Sequence, residues 1–133
     1  MNIRFYSGEE LELPFTSLVG ARLDGLKLHR ATFDESDASN TSCVNTDFMG
    51  ASLVGAKFRN ANLTNASLIT AFAQKAIFGG ADLTNVRAND CHFEGADFTD
   101  ANLQNADFTG SFYDDKTVWP SGFDPEKAGC IKV

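Results

Sequence analysis

Ala21-Arg22-Leu23-Asp24-Gly25, Ala61-Asn62-Leu63-Thr64-Asn65 and Ala106-Asp107-Phe108-Thr109-Gly110 are one pattern met at three points of the chain. Between Thr16 and Gly110 this five-residue frame runs without an insertion. Each unit opens on a small residue, places a large apolar residue two positions later and fills the rest with polar residues or glycine. Side chains of extended backbone alternate sides with a period of two, so an odd repeat keeps one face buried only if the chain turns a corner inside every unit. The large central residue and the small one two before it then point inward. The residue between them points outward, and the two residues after the centre make the corner.

The corner positions support this reading. Gly20, Gly25, Asn40, Asn45, Gly50, Gly55, Asn60, Asn65, Asn85 and Asn105 all fall second after a centre, and Gly and Asn are the residues that tolerate positive φ in a tight turn. The centres run every fifth residue from Leu13 to Phe108 and are Leu or Phe except at Ala38, Cys43, Ala73 and Ala88. Their small inward partners are mostly alanines, among them Ala21, Ala51, Ala76 and Ala106. Large beside small fills a narrow interior without overpacking, and each fully buried Leu or Phe contributes about 1.5–3 kcal/mol of transfer free energy.

The repeated Ala-(Asp/Asn)-(Leu/Phe)-X-X resembles the pentapeptide-repeat family over about 100 of the 133 residues. The resemblance implies an all-β fold, a right-handed quadrilateral β-helix with four units per turn. About five coils then form a rod of roughly 24 Å at about 4.8 Å per coil. We divide the chain into an N-terminal cap segment (1–12), the repeat β-helix (13–112) and a C-terminal cap segment (113–133). The first holds an alternating Ile3, Phe5 stretch and a polar Ser7-Gly8-Glu9-Glu10 turn. The last contains Trp119-Pro120-Ser121-Gly122-Phe123-Asp124-Pro125, which resembles the segment following the last coil in short cyanobacterial members. Trp119 and Phe123 are expected to close the open end of the core.

Length and composition fit one domain. No window approaches the 18 or more apolar residues of a membrane span. Met1-Asn2-Ile3-Arg4-Phe5-Tyr6 lacks the basic start and apolar run of a secretory signal, so the expected address is cytoplasmic; a chain trimmed of its leader would read the same. The formal net charge of -7 argues against direct nucleic-acid binding, which needs Lys and Arg to neutralise phosphates. Charge is uneven: residues 1–50 hold four basic and eight acidic side chains, 51–90 four and two, 91–133 three and eight. Cys43, Cys91 and Cys130 have no metal-like spacing. Cys43 and Cys91 lie more than two layers apart, roughly 10 Å at about 4.8 Å per layer, too far for a disulfide, so reduced, packed thiols are expected.

With twenty residues per coil, residues twenty apart stack into columns. Gly25, Asn45, Asn65, Asn85 and Asn105 form one, expected to be a structural ladder of stacked amides. Thr32, Ser52, Phe72, His92 and Phe112 form another, setting two aromatics and a histidine on an outward position normally given to Asp, Asn or Ser. Phe72, His92 and Phe112 are therefore candidate binding residues, since exposed aromatic clusters are enriched at interfaces. The competing reading is filler: Phe72 flanks the undersized centre Ala73 and could turn inward, and the cap could cover Phe112. A second column places Met49 next to Ile69, a smaller candidate patch. Lys57, Arg59, Lys75 and Arg87 belong to different columns and read as a solvated middle. Ala38, Ala73 and Ala88 each leave a void or are filled by a neighbour, and four walls of inward side chains leave a ligand no mouth.

No chemistry rises above the repeat. His29 and His92, the two imidazoles of the chain, are placed about three coils apart on different sides, and no nucleophile, metal or phosphate-binding motif occurs. A non-enzymatic solenoid with no cofactor or metal is expected, most simply a monomeric protein–protein interaction module with an unidentified protein partner and no membrane association. Two alternatives stand beside it. Other members of the family imitate acidic B-form DNA and protect DNA gyrase; here Lys57 and Ile77 interrupt the Asp37–Asp97 row, and Lys27 and Arg87 the Asp47–Asp107 row. The third reading is a structural or stress-related protein without a dedicated partner.

Overall fold

The units centred from Leu18 to Phe108 close on a hydrogen-bonded turn, except at Ala88, where the Cys91 amide donates to Ser111 Oγ instead (2.9 Å). The amides of Ala31, Ala51, Ala71 and Ala96 donate to Leu28 O, Phe48 O, Leu68 O and Phe93 O at 2.8–3.1 Å. The second residue inside such a turn must adopt positive φ. In the computed structural model, which describes residues 1–133, every fifth residue from Gly20 to Gly110 does so. Arg30, Glu35, Thr70, Lys75, Asp90 and Asp100 obey the rule although they are neither Gly nor Asn.

Successive coils pair in a twenty-residue register, joined by backbone hydrogen bonds between residues 19 and 21 apart. Leu23 N donates to Ser42 O (2.7 Å), Gly25 N to Val44 O (2.9 Å), and Ser42 N back to Ala21 O (2.9 Å). Parallel bridges repeat this register on all four sides, from Arg22↔Ser42 to His92↔Phe112. The fold is a right-handed quadrilateral β-helix, as the family resemblance implied. The outward Asp and Asn of the units have a local role. Asp82 Oδ1 accepts from the Thr84 amide (3.0 Å) and hydroxyl (2.6 Å), and Asn62, Asp97 and Asp107 do the same for residues 64, 99 and 109. These side chains bracket the corner amide, the usual habit of Asp and Asn beside turns.

The core is a continuous column of centres and small partners, and most are fully buried. The undersized centres Ala38, Ala73 and Ala88 are as fully buried as the large ones. Phe48 reaches both Phe33 and Phe58, with ring centroids 5.6 and 6.0 Å away. Along one wall Phe58, Phe78, Phe98 and Trp119 stack nearly parallel, at 5.8, 5.1 and 4.8 Å. Thr41, Thr46 and Ser111 occupy small inward slots and donate their hydroxyls to the carbonyls of Ala38, Leu23 and Ala88, so these buried polar groups are satisfied. All three cysteines are free and buried. Burial pushes the Cys43 and Cys91 thiols up to about 12 and that of Cys130 to about 11.

Two expectations need correction. Asn45, Asn65, Asn85 and Asn105 are exposed, and no hydrogen bond joins their side-chain amides; they occupy the column for its positive φ, not to build an amide ladder. Leu103 and Ala106 are only half-buried. They belong to the last coil, which the chain after Trp119 covers with turns instead of a sixth coil.

At the N-terminal end β1 (Asn2–Phe5) pairs antiparallel with β2 (Glu10–Glu12) and with β3 (Ala31–Thr32). Ile3 lies buried over the first coil. At the other end β4 (Phe112–Tyr113) pairs in parallel with β5 (Ile131–Lys132), and Val118 bridges to Asp97 one residue out of the twenty-residue register. Trp119 lies flat on Phe98 at an interplanar angle of 1°. Phe123 packs edge-on against Phe108 at 5.6 Å and tilted against Trp119 at 4.8 Å.

Candidate functional site

The other three outward columns carry the bracket at some coils and Lys, Arg, Ser or Ile at others, whereas one column carries it at none. On the side holding Thr32 and Ser52, the next three coils present Phe72, His92 and Phe112, bridged in register. A phenyl ring cannot accept a hydrogen bond from the corner amide as Asp or Asn does, so Phe72 and Phe112 forgo the local bond that this position elsewhere supplies. Instead the side chains stack on one another. The Phe72 and His92 ring centroids are 5.4 Å apart and inclined by 5°, those of His92 and Phe112 5.0 Å apart and inclined by 27°.

Phe72 is 41% exposed, which rejects the reading that it turns inward at Ala73. His92 and Phe112 are half-buried by their neighbours in the stack. His92 Nδ1 lies 3.2 Å from Glu94 Oε1. The cap lengthens the column: β4 and β5 set Ile131, 48% exposed, beside Phe112. The sequence reading missed Ile131 because the chain returns to this side nineteen residues later, out of phase with the repeat.

The smaller patch lies at a corner. Met49 is exposed and Ile69 half-buried, but the flanking member of their column, His29, pairs with Asp47 on the adjoining side. Met49 and Ile69 are therefore not gathered into the aromatic stack. The basic residues also remain dispersed. Arg59 borders a shallow polar concavity opened by Gly79 and Gly80 and completed by Asn60, Asp97, Thr99 and Asp100. A second concavity lies under the first turn, between Phe5, Tyr6, Glu9, His29 and Arg30. No group of three or more His, Cys, Asp or Glu side chains converges to hold a metal. No helix is long and apolar enough to cross a membrane.

The family model for pentapeptide repeats matches residues 16–53, 27–65 and 76–112. Among solved structures, a pentapeptide repeat protein from the Arabidopsis thaliana thylakoid lumen is similar with 28% identity and a TM-score of 0.72, over 77% of this chain and 72% of that one. HetL, a pentapeptide repeat protein involved in heterocyst differentiation regulation in the cyanobacterium Nostoc, shares 24% identity and a TM-score of 0.70, over 71% of this chain and 41% of its own. QnrB1, a plasmid-mediated fluoroquinolone resistance protein, shares 16% identity and a TM-score of 0.68, over 84% of this chain and 64% of its own. The last two likenesses concern the fold alone. No curated protein matches the sequence significantly.

Proposed function

The chain belongs to the pentapeptide repeat family, and from that premise we propose that it is a non-enzymatic protein–protein interaction module whose contact surface is the Phe72–His92–Phe112 column. The supporting observation is the exchange made on this one side. Aromatic rings replace the Asp or Asn bracket over consecutive coils, and Phe72 leaves 41% of its surface to solvent. That substitution benefits neither the turn nor the core. Aromatic side chains on a rigid scaffold present large contact area at little entropic cost and are enriched among residues that dominate binding. Met49 and Ile69 form a separate, subsidiary patch in this reading.

A cytoplasmic address and an origin near the short cyanobacterial members with a Trp-Pro-X-Gly-Phe-Asp-Pro segment belong to the same proposal. Imitation of DNA is not adopted. The bridged rows Asp37–Lys57–Ile77–Asp97 and Lys27–Asp47–Ser67–Arg87–Asp107 alternate in sign or lapse into apolar residues where a phosphate backbone would be continuously negative. The test is affinity capture from the source organism with the wild-type chain and with Phe72→Ser/Phe112→Ser. Loss of one specific partner in the double variant supports the column as the contact surface, and unchanged capture refutes it. Inhibition of gyrase supercoiling by the wild-type chain would promote the alternative.

A further inference from the structure

We infer that the notch at Gly79-Gly80 binds a free α-amino acid, held by its carboxylate and its ammonium group together; the site lies apart from the aromatic column and does not depend on it. Gly79-Gly80 is the sole pair of adjacent glycines in the sequence, and it falls at a corner, where every other unit from Leu18 to Phe108 carries at least one side chain. The side chains of the preceding coil lean over the pair. The Asn60 carbonyl oxygen occupies the place that a Cβ of Gly80 would take, and Arg59 Nη1 lies 3.8 Å from where a Cβ of Gly79 would stand. The resulting concavity has a volume of about 460 Å³ and no apolar side chain in its lining, which is room for a small polar molecule.

The floor of the notch offers a donor that the chain leaves unused. One coil further on, the Thr99 amide donates to Asp97 Oδ1 at 2.9 Å, and the corner amides of residues 39, 49, 64, 84, 104 and 109 are held in the same way by the Asp or Asn two positions earlier. The residue two before Gly79 is Ile77, which has no acceptor, and the Gly79 amide makes no hydrogen bond within the chain. The corner amides of Ile69 and Gln74 are also unbonded, but a side chain stands at each of those corners. A carboxylate from outside fits over Gly79 because a carboxylate of the chain fills the same position beside Thr99. Charge then selects a dipolar ligand. The preceding coil contributes the cations Lys57 and Arg59 and the following coil the carboxylates Asp97 and Asp100, while Ile77 to Gly80 between them are neutral; Lys57, Ile77 and Asp97 are bridged in register. Asp37 stands one coil beyond Lys57, outside the notch. None of the four flanking charges forms an ion pair within the chain, since two coils, roughly 10 Å at about 4.8 Å per coil, separate the signs. A simple anion over Gly79 would meet Asp97 one coil away, and a simple cation there would meet Arg59. An α-amino acid satisfies both ends. Its carboxylate accepts from the Gly79 amide and the Arg59 guanidinium, and its ammonium donates to Asp97 Oδ2, which no hydrogen bond of the chain engages.

The experiment is an NMR titration of the full chain with glycine, with acetate and methylammonium as its two halves, and with 6-aminohexanoate, whose charges are too far apart to meet Gly79 and Asp97 on adjoining coils. The expected result is a saturable shift of the Gly79, Gly80 and Thr99 amides with glycine, about tenfold weaker with each of the other probes and diminished by added salt. Ile77→Asp is the deciding variant. It gives the Gly79 amide the same bracket that Asp97 gives Thr99, so the coil keeps its geometry while glycine binding should be lost. Asp97→Asn preserves the bracket, as Asn62 does for Thr64, and should weaken binding several-fold, as should Arg59→Gln; Trp119 fluorescence should stay native in all three. Glycine binding undiminished in Ile77→Asp, equal shifts from acetate, or no saturable shift overturns the inference. Phe72→Ser/Phe112→Ser should bind glycine as the wild type does, and a loss of binding there would place the ligand on the aromatic side and overturn the assignment to the notch.

Discussion

Phe72 and Phe78 lie one unit apart along the chain, yet the fold assigns them opposite fates, and truncating each to alanine measures the difference. Phe78 has no exposed surface and lies between the rings of Phe58 at 5.8 Å and Phe98 at 5.1 Å, with the edge of Phe93 at 6.3 Å. Phe78→Ala should cost about 3–5 kcal/mol, the transfer free energy of the ring plus the cavity left behind. That is a large share of the roughly 5–15 kcal/mol that holds a domain folded. Phe78→Leu, which nearly conserves volume, should cost about 1–1.5 kcal/mol. Phe72→Ala removes a half-solvated ring with one stacked neighbour and leaves no cavity, so the expected loss is about 0.5–1 kcal/mol. In urea, with a slope of about 1–3 kcal/mol/M, Phe78→Ala should lower the midpoint by about 2 M and Phe72→Ala by less than about 0.5 M. Trp119 fluorescence and far-UV circular dichroism should report coincident transitions. Equal losses, or a larger one at Phe72, would refute the parity argument that assigns one residue outward and the other inward.

Thr70 holds φ at 60°, a region that costs a branched side chain about 1–2 kcal/mol, so Thr70→Asn should raise stability by about 1 kcal/mol in the same denaturation assay. Gly25→Ala should lower it by a similar amount, and through the backbone alone, because no atom lies within 4 Å of the added methyl. The hydroxyl of Ser42 holds the Asp24 carboxyl below the usual carboxylate range, and the Asn89 amide, then Thr109, do so for Asp107. A folded-state value below the unfolded one means that this stabilisation is complete above about pH 4 and is lost as pH falls through the folded-state values. Thermal midpoints should therefore be level near neutrality and decline in acid; Asp107→Asn should flatten part of that decline, and a midpoint that rises on acidification would contradict it. None of the three thiols should react with Ellman's reagent at pH 8 in the native protein. Cys130, next to the terminal strand β5, should be the first to react as urea is added.

What periodicity can reveal is set by geometry. An odd repeat demands a corner, so the inward assignment of Leu53 and Ala51 was readable from spacing alone, whereas spacing places Phe72 outward without excluding a turn inward beside the undersized Ala73. The number of corners per coil is not a property of the period. For that reason undersized centres such as Ala38 and Ala88 read equally well as voids or as places filled by a neighbour. Composition also misled in one direction. Asn at a corner suggested amide stacking, whereas the backbone needs only tolerance of positive φ, which Lys75 and Asp90 supply under compulsion from the hydrogen bonds between coils. Ile131 lay beyond reach because a loop of irregular length returns it to the aromatic side.

The same irregular length decides where the run of regular coils ends. A stack in which every layer offers the next its amides and carbonyls has no intrinsic end, and its final layer is an invitation to further pairing. Here the bridge from Asp97 to Val118 spans one residue too many, and the pair Phe112 with Ile131 one too few. These opposite phase slips keep the chain in contact with the prism while throwing its side chains out of step, so that nothing arriving afterwards can copy the pattern. With Trp119 and Phe123 laid across the exposed rings, the terminus acts as a counting device: it limits the rod to one length and protects it from growing into a fibre.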